Sequence, residues 1–246
     1  MESGRTDSAD DGCIEEFSPI KVPFIHECAR EYLTNHSILT IIDKGMSVEL
    51  SEGEEEMKWM IASDIHGSAA YLEKLLEAYK QEKADRMLLL GDLLYHGPRN
   101  DLPKGYAPKE VIRMLNEVKE ELLCVRGNCE ADVDQMVLEF PVMADYCVLQ
   151  LEDTGVVFAS HGHVHNPQCM PPLKNGDILL NGHTHVPACE KIADENGNEY
   201  MYLNPGSVSI PKEGSSHSYM VYEKGTFTWK NMSGEVYREW KKDSRF

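Results

Sequence analysis

"MKWMIASDIHGSAAYLEKLLEAYKQEKADRMLLLGD", residues 57–92, changes period twice. Its first eight residues form a short apolar run that ends on an acid, the pattern of a buried strand. Beyond Ser68, Leu72, Leu75, Leu76 and Tyr79 recur at helical intervals. "RMLLLGD" is apolar again and ends on Gly-Asp. Downstream, "APKEVIRMLNEVKEE" predicts a helix with Pro108 near its start, and "LLCVRGN" predicts a third strand that ends on Gly-Asn. This β-α-β-α-β order predicts a parallel sheet with covering helices.

After about residue 145 the pattern becomes mostly β. "YCVLQLEDTGVVFASHG" predicts a hairpin and "DILLNGHTH" a strand running into a loop. A second hairpin is expected around Glu195-Asn196-Gly197-Asn198, and a third turning at Lys224-Gly225. Two sheets packed face to face, with helices outside, fit the whole. Upstream, residues 1–13 are polar and acidic and are expected to be disordered. In residues 14–50, "PFIHECAREYLTNH" predicts a short helix and "ILTIIDKGMSVEL" a hairpin around Asp43-Lys44-Gly45. The expected division is an acidic, partly disordered extension over 1–56 and one domain over 57–246.

Composition narrows the function classes. The chain has 246 residues, enough for one large domain or two small ones, with a net charge of −18. Residues 1–57 hold 14 acids against 4 bases, so over half of that charge lies there. Such a balance argues against a nucleic-acid backbone or an anionic membrane as a bulk partner. It leaves room for a small phosphorylated substrate, because a bound cation reverses the local field. No run approaches the roughly 18 apolar residues of a membrane span, and the acidic N-terminus is no secretory signal. Seven cysteines without a CxxC pair read as reduced thiols, and the expected compartment is the cytoplasm.

Five strand ends or loops deliver polar groups in order. They are Asp64 and His66 in "SDIHG", Asp92 in "GDLLYHG", Asn128 in "RGNCE", His161 and His163 in "SHGH", and His183 and His185 in "NGHTH". One DxH pair alone is weak, and a lone histidine beside glycine is usually a loop residue. Five such elements, each after an apolar strand, are hard to explain as chance. In an extended segment residues two apart point the same way, so Asp64 with His66, and His183 with His185, are expected to present paired ligands. Carboxylate, amide and imidazole without thiolate suit manganese, magnesium, iron or zinc, not a structural Cys-zinc site. Seven ligands are too many for one ion and about right for two sharing a bridging carboxylate. Such a pair, roughly 3.5–4 Å apart, activates a water and neutralises a phosphoryl group.

The motifs DxH, GD, GN(C)E, HGH and GHTH, in this order, resemble the calcineurin-like metallophosphoesterase superfamily. Residues 57–230 are similar to its small bacterial YfcE-type phosphodiesterases, through "DIHGS", "GDLLYHGPRNDLPKGYAPKEV", "VRGNCEADVDQM", "GHTHVP" and "LNPGSVSIPK". The resemblance implies an α/β fold: a four-layer αββα sandwich of two mixed β-sheets flanked by helices. It implies a metal-dependent phosphodiesterase acting on a small phosphodiester through a metal-bridging hydroxide. The cofactors would be two divalent ions, manganese first, with magnesium, zinc, nickel or iron as alternatives. One ion would take Asp64, His66, Asp92 and His185, the other Asp92, Asn128, His161 and His183. Asn128 would also donate to a phosphate oxygen, and His163 would lie near the phosphate.

Where many members carry a histidine after GN, this chain has Cys129. A thiol is a poor acid for a departing alkoxide. Cys129 is either at the leaving-group position, with His96 or His163 as the acid, or simply a packing residue. A histidine placed at 129 is expected to find a partner in Glu130. Two other readings stand beside this one: a non-catalytic scaffold, as in the retromer subunit of this fold, and a phosphomonoesterase or nucleotide-pyrophosphate hydrolase. The filled ligand set favours an enzyme over a scaffold. Homo-oligomerisation is left open.

Overall fold

The structure is a computed structural model, and it describes residues 57–151 and 154–242. The disorder expected over residues 1–13, and the short helix and hairpin expected within 14–50, lie outside the described residues.

The expected alternation appears in order. β1 (Trp59–Ala62), α1 (Ala69–Glu82), β2 (Arg86–Leu89), α2 (Pro108–Asn116) and β3 (Leu122–Cys124) form the first half. A short turn of helix, α3 (Asp132–Gln135), follows. The second half is β4 (Tyr146–Leu151), β5 (Gly155–Ser160), β6 (Ile178–Leu180), β7 (Ala188–Ala193), β8 (Glu199–Asn204), β9 (Ser218–Glu223), β10 (Thr226–Asn231) and β11 (Val236–Lys241). Ser68 caps α1 by accepting from the Tyr71 N–H, and Lys83 ends it in a left-handed conformation.

The strands make two mixed sheets. One has six strands in the order β11-β10-β9-β1-β2-β3, the other five in the order β4-β5-β6-β8-β7. β1, β2 and β3 run parallel, as do β5, β6 and β8. The two central ladders therefore bring the carboxyl ends of successive strands to a common edge within each sheet.

The period-2 alternation assigns side chains to layers. Met60 and Ala62 of β1, and Met87 and Leu89 of β2, pack with Leu72, Leu75, Val111 and Leu115 of the helices. Their neighbours Ile61 and Leu88 turn the other way, into a core shared by both sheets with Val157, Leu180, Leu203, Phe227 and Trp229. Each such buried side chain contributes roughly 1.5–3 kcal/mol. The Trp229 indole N–H is satisfied by the Asn204 carbonyl at 2.7 Å. On the outer face of the five-stranded sheet, Phe158, Leu179 and Tyr202 are covered by Met170 and Leu173 of the long β5–β6 connection.

β11 has no counterpart in the sequence reading. It lies at a sheet edge and five of its six residues are exposed, so it lacks the apolar alternation of a half-buried strand. Among the described residues no helix is long and apolar enough to cross a membrane. The five described cysteines are all free.

Candidate metal centre

Each strand of the two parallel ladders ends in a loop that delivers chemistry. Asp64 and His66 follow β1, Asp92 follows β2, Asn128 follows β3, His161 follows β5, and His183 and His185 follow β6. The paired residues converge for a different reason from the one expected. Asp64, His66, Asp92, His183 and His185 all adopt left-handed backbone, with φ between 49° and 66°. The "DIH" and "HTH" segments are thus tight turns, not extended strand. Each such residue costs on the order of 1 kcal/mol or more, and this strain is concentrated where the ligands gather. Cross-loop backbone bonds hold it: His66 N–H to Asp92 O at 2.8 Å and Gly67 N–H to Leu93 O at 2.8 Å.

The seven residues come together in two groups. Asp64 Oδ1 lies 3.2 Å from His185 Nε2 and 3.6 Å from His66 Nε2. The two Nε2 atoms are 3.2 Å apart. In the second group His161 Nε2 lies 3.1 Å from Asn128 Oδ1 and 3.2 Å from His183 Nδ1. Asp92 stands between them, its Oδ2 3.6 Å from His66 Nε2 and 3.4 Å from His161 Nε2. Its other oxygen accepts from the Cys129 N–H at 2.9 Å.

Backbone carbonyls set the tautomers. Nδ1 of His66, His161 and His185 faces the carbonyls of Tyr95, Leu90 and Ile210 at 2.7, 2.6 and 2.6 Å. A carbonyl only accepts, so each Nδ1 carries a hydrogen, and Nε2 is the nitrogen that turns its lone pair to the centre once the ring is neutral. Ser207 and Ser209, from the loop after β8, donate hydroxyls to the Asp64 carbonyl at 3.0 and 3.1 Å. The sequence reading assigned no role to these serines; "NPGS" signals a turn, not which carbonyl it grips.

Glu130 is a second omission and forces a correction. Its buried carboxylate accepts from the N–H groups of Asp92 at 2.8 Å, Leu93 at 2.7 Å and Gly127. It clasps the loops after β2 and β3. It is therefore not free to orient a histidine at position 129, as the sequence had suggested.

The electrostatics are those of a cation site. Burial pushes the Asp64 carboxyl up, but the imidazoles of His185 and His66 beside it outweigh this and hold the pKa well below the usual range. Burial opposes charge on His161, yet Asp92 and Asp64 raise its pKa to about 9. Burial and the His161 charge lower His183 to about 4. Burial, then the Asp92 charge, pushes the Cys129 thiol far up, so it stays protonated. Asn128 donates its Nδ2–H to that sulfur at 3.2 Å.

These residues fit divalent metal. Asp64 Oδ1 is buried without a hydrogen-bond partner. Opposed lone pairs on His66 and His185 at 3.2 Å repel unless a cation sits between or beside them. Ligand atoms of Asp64, His66 and His185 lie within 4.8 Å of one another, as do those of Asp64, Asp92 and His161, and those of His66, Asp92 and Cys129. Hard oxygen and borderline nitrogen donors suit a divalent first-row ion or magnesium.

The centre opens into a cleft of about 450 Å³ lined by His66, Asp92, Asn128, Cys129, His183 and His185, with Arg99 and Lys212. The two cations escaped the sequence reading, since neither belongs to a ligand motif. His163 lies beside the cluster, its ring 5.5 Å from that of His161 and 6.3 Å from that of His183. Burial, then the charges of His161 and Arg126, lower its pKa and keep it neutral. His96 does not line the cleft; it packs edge-on against Tyr95 and Tyr106.

Residues 57–226 match the calcineurin-like phosphoesterase superfamily domain. Phosphodiesterase YfcE of Escherichia coli (strain K12) is 48% identical over 163 residues, which span 66% of this chain and 85% of the relative. A solved structure of Yfce, described as a phosphoesterase from E. coli, superposes with a TM-score of 0.69 at 42% identity, covering 75% of this chain and 99% of that one.

Proposed function

The chain belongs to the calcineurin-like phosphoesterase superfamily, and from that membership we propose that it is a YfcE-type metal-dependent phosphodiesterase with a dinuclear centre. When bound, two divalent ions, manganese first among them, supply a hydroxide from water as nucleophile and neutralise the phosphoryl oxygens. Magnesium, zinc, nickel and iron are the alternatives. Asp64, His66 and His185 would hold one ion, Asn128, His161 and His183 the other, and Asp92 would be shared. The observation that carries this is the position of Asp92 Oδ2, within 3.6 Å of a histidine from each group.

The protein's own groups do the rest. The three Nδ1–H···O=C bonds hold the imidazoles in one tautomer and one direction. Neutral His163 lies next to His161 but, like His96, is not part of the cleft lining, and it brings no charge to the substrate. The protonated Cys129 thiol is too weak an acid to protonate an alkoxide, and His96 is outside the cleft. Good leaving groups are therefore favoured. The catalytic domain is 57–246, with 1–56 an extension outside the reaction. The free cysteines suit a reducing compartment, and the enzyme is read as cytoplasmic with a small diester as its partner.

The test is a panel: metal-stripped protein, resupplied in turn with manganese, magnesium, zinc or nickel, given a diester and a monoester of the same chromophore. Metal-dependent preference for the diester supports the proposal. Preference for the monoester with every metal would replace it with a phosphomonoesterase.

A further inference from the structure

Arg99 and Lys212 line the cleft from different loops, one after β2 and one after β8. Both are exposed, and neither side chain has a hydrogen-bond or ion-pair partner among the described residues. In a chain of 42 acids against 24 bases, two uncommitted cations on one cleft need a reason. The scissile phosphodiester does not supply it. A diester carries one negative charge, and two divalent ions, if bound against Asp64 and Asp92, would already balance that charge together with a hydroxide.

The backbone keeps this charge on one side. Lys212 and Glu213 are neighbours in sequence, yet they line different clefts. Glu213 adopts a left-handed conformation (φ 54°), which throws consecutive side chains apart. The second cleft, about 370 Å³, shares the His183–Thr184 wall with the first. It is lined by Glu190 and Glu213 and by no lysine or arginine. An anionic group attached to the scissile phosphate is repelled from one side of this wall and attracted to the other.

We propose that Arg99 and Lys212 form a subsite for an anionic group on one alcohol arm of the substrate, which is thus a phosphodiester bearing a second carboxylate or phosphate. This rests on the phosphodiesterase proposal above and narrows its substrate class. The two cations are specificity-determining residues, and their exposure makes the attraction weaken as salt rises.

The test uses the full chain with manganese and three 4-nitrophenyl diesters. The second arm is phenyl, carboxyphenyl or phosphonophenyl. The kcat/KM ratio of each charged diester to the phenyl diester should exceed one by about tenfold or more, the scale of a charge-assisted hydrogen bond. Which charged arm gains more tells carboxylate from phosphate. Arg99→Gln and Lys212→Gln should each reduce the ratio, while Lys80→Gln on α1, away from the cleft, should leave it unchanged. A wild-type ratio of one or below overturns the proposal. So does a pair of variants that lower all three rates alike, because the cations then serve the scissile phosphate only. Calorimetric binding of non-hydrolysable phosphonate analogues of the three diesters reads the subsite without turnover. If no diester is hydrolysed but the charged analogues bind more tightly through Arg99 and Lys212, the phosphodiesterase proposal fails and the anionic subsite stands.

Discussion

Asp92 divides its carboxylate between two tasks. One oxygen accepts from the Cys129 N–H at 2.9 Å and the other faces His66 and His161. Asp92→Asn keeps the shape and the first bond but removes the charge at the shared position. Turnover should fall by more than the roughly 10–100-fold that even outer partners of a metal site cost, with a melting temperature within a few degrees of wild type. Near-normal activity with manganese would rule out a shared carboxylate. His161 gives a pH signature. Its pKa is raised from 6.5 to about 9 with Asp92 beside it, so a proton occupies the metal-facing nitrogen at neutral pH. In the metal-free protein this stabilisation is complete below pH 6.5 and is lost as pH rises through about 9. Metal must expel that proton. Calorimetric manganese affinity should therefore climb between pH 6.5 and 9 with proton release, and a flat profile over that range would contradict the account.

At the scale of elements, the centre is built by loops that lock each other. Glu130 ties three N–H groups of the β2 and β3 loops. Glu130→Ala strands these buried donors, at about 1–3 kcal/mol each. Denaturant unfolding should show a loss of about 3 kcal/mol or more, with manganese affinity reduced as Asp92 loosens; a loss under 1 kcal/mol would mean that water replaces the clasp. Gly127 sits in the same lock, where a Cβ would collide with Asp92 Oδ1; a Cβ on Gly182 would collide with Ser63 Oγ and crowd Asp64 Oδ2. The ten strands other than β11 were legible, most because each is a short apolar run with a buried face, and β7, which buries only Ala188, because it shares a hairpin with β8. So was the convergence of the seven residues, because each sits in the loop that follows such a run. The left-handed turns at Asp64 and His66 were not legible, since a DxH spacing is the same in a turn and in a strand. Nor was the Glu130 clasp, since hydrogen bonds to backbone leave no trace in residue spacing.

For the whole molecule, the family match begins at Met57 and the two-sheet core lies within residues 57–242. A chain starting at Met57 should keep kcat/KM for a diester within about twofold of the full chain; severe loss of activity or solubility would make residues 1–56 part of the working enzyme. That shorter chain also sheds most of the acid excess, so a salt-insensitive change in KM would show that the bulk charge does not govern substrate approach. The central claim is that seven residues from two sheets make one dinuclear site for diester hydrolysis. The most direct measurement is a manganese titration of metal-stripped full-length protein, with the rate of bis(4-nitrophenyl) phosphate hydrolysis and the bound metal read on the same samples. The account predicts no turnover without metal and a rate that levels off at two bound ions per chain. Turnover that persists in the stripped protein, or that saturates with a single bound ion, would contradict it.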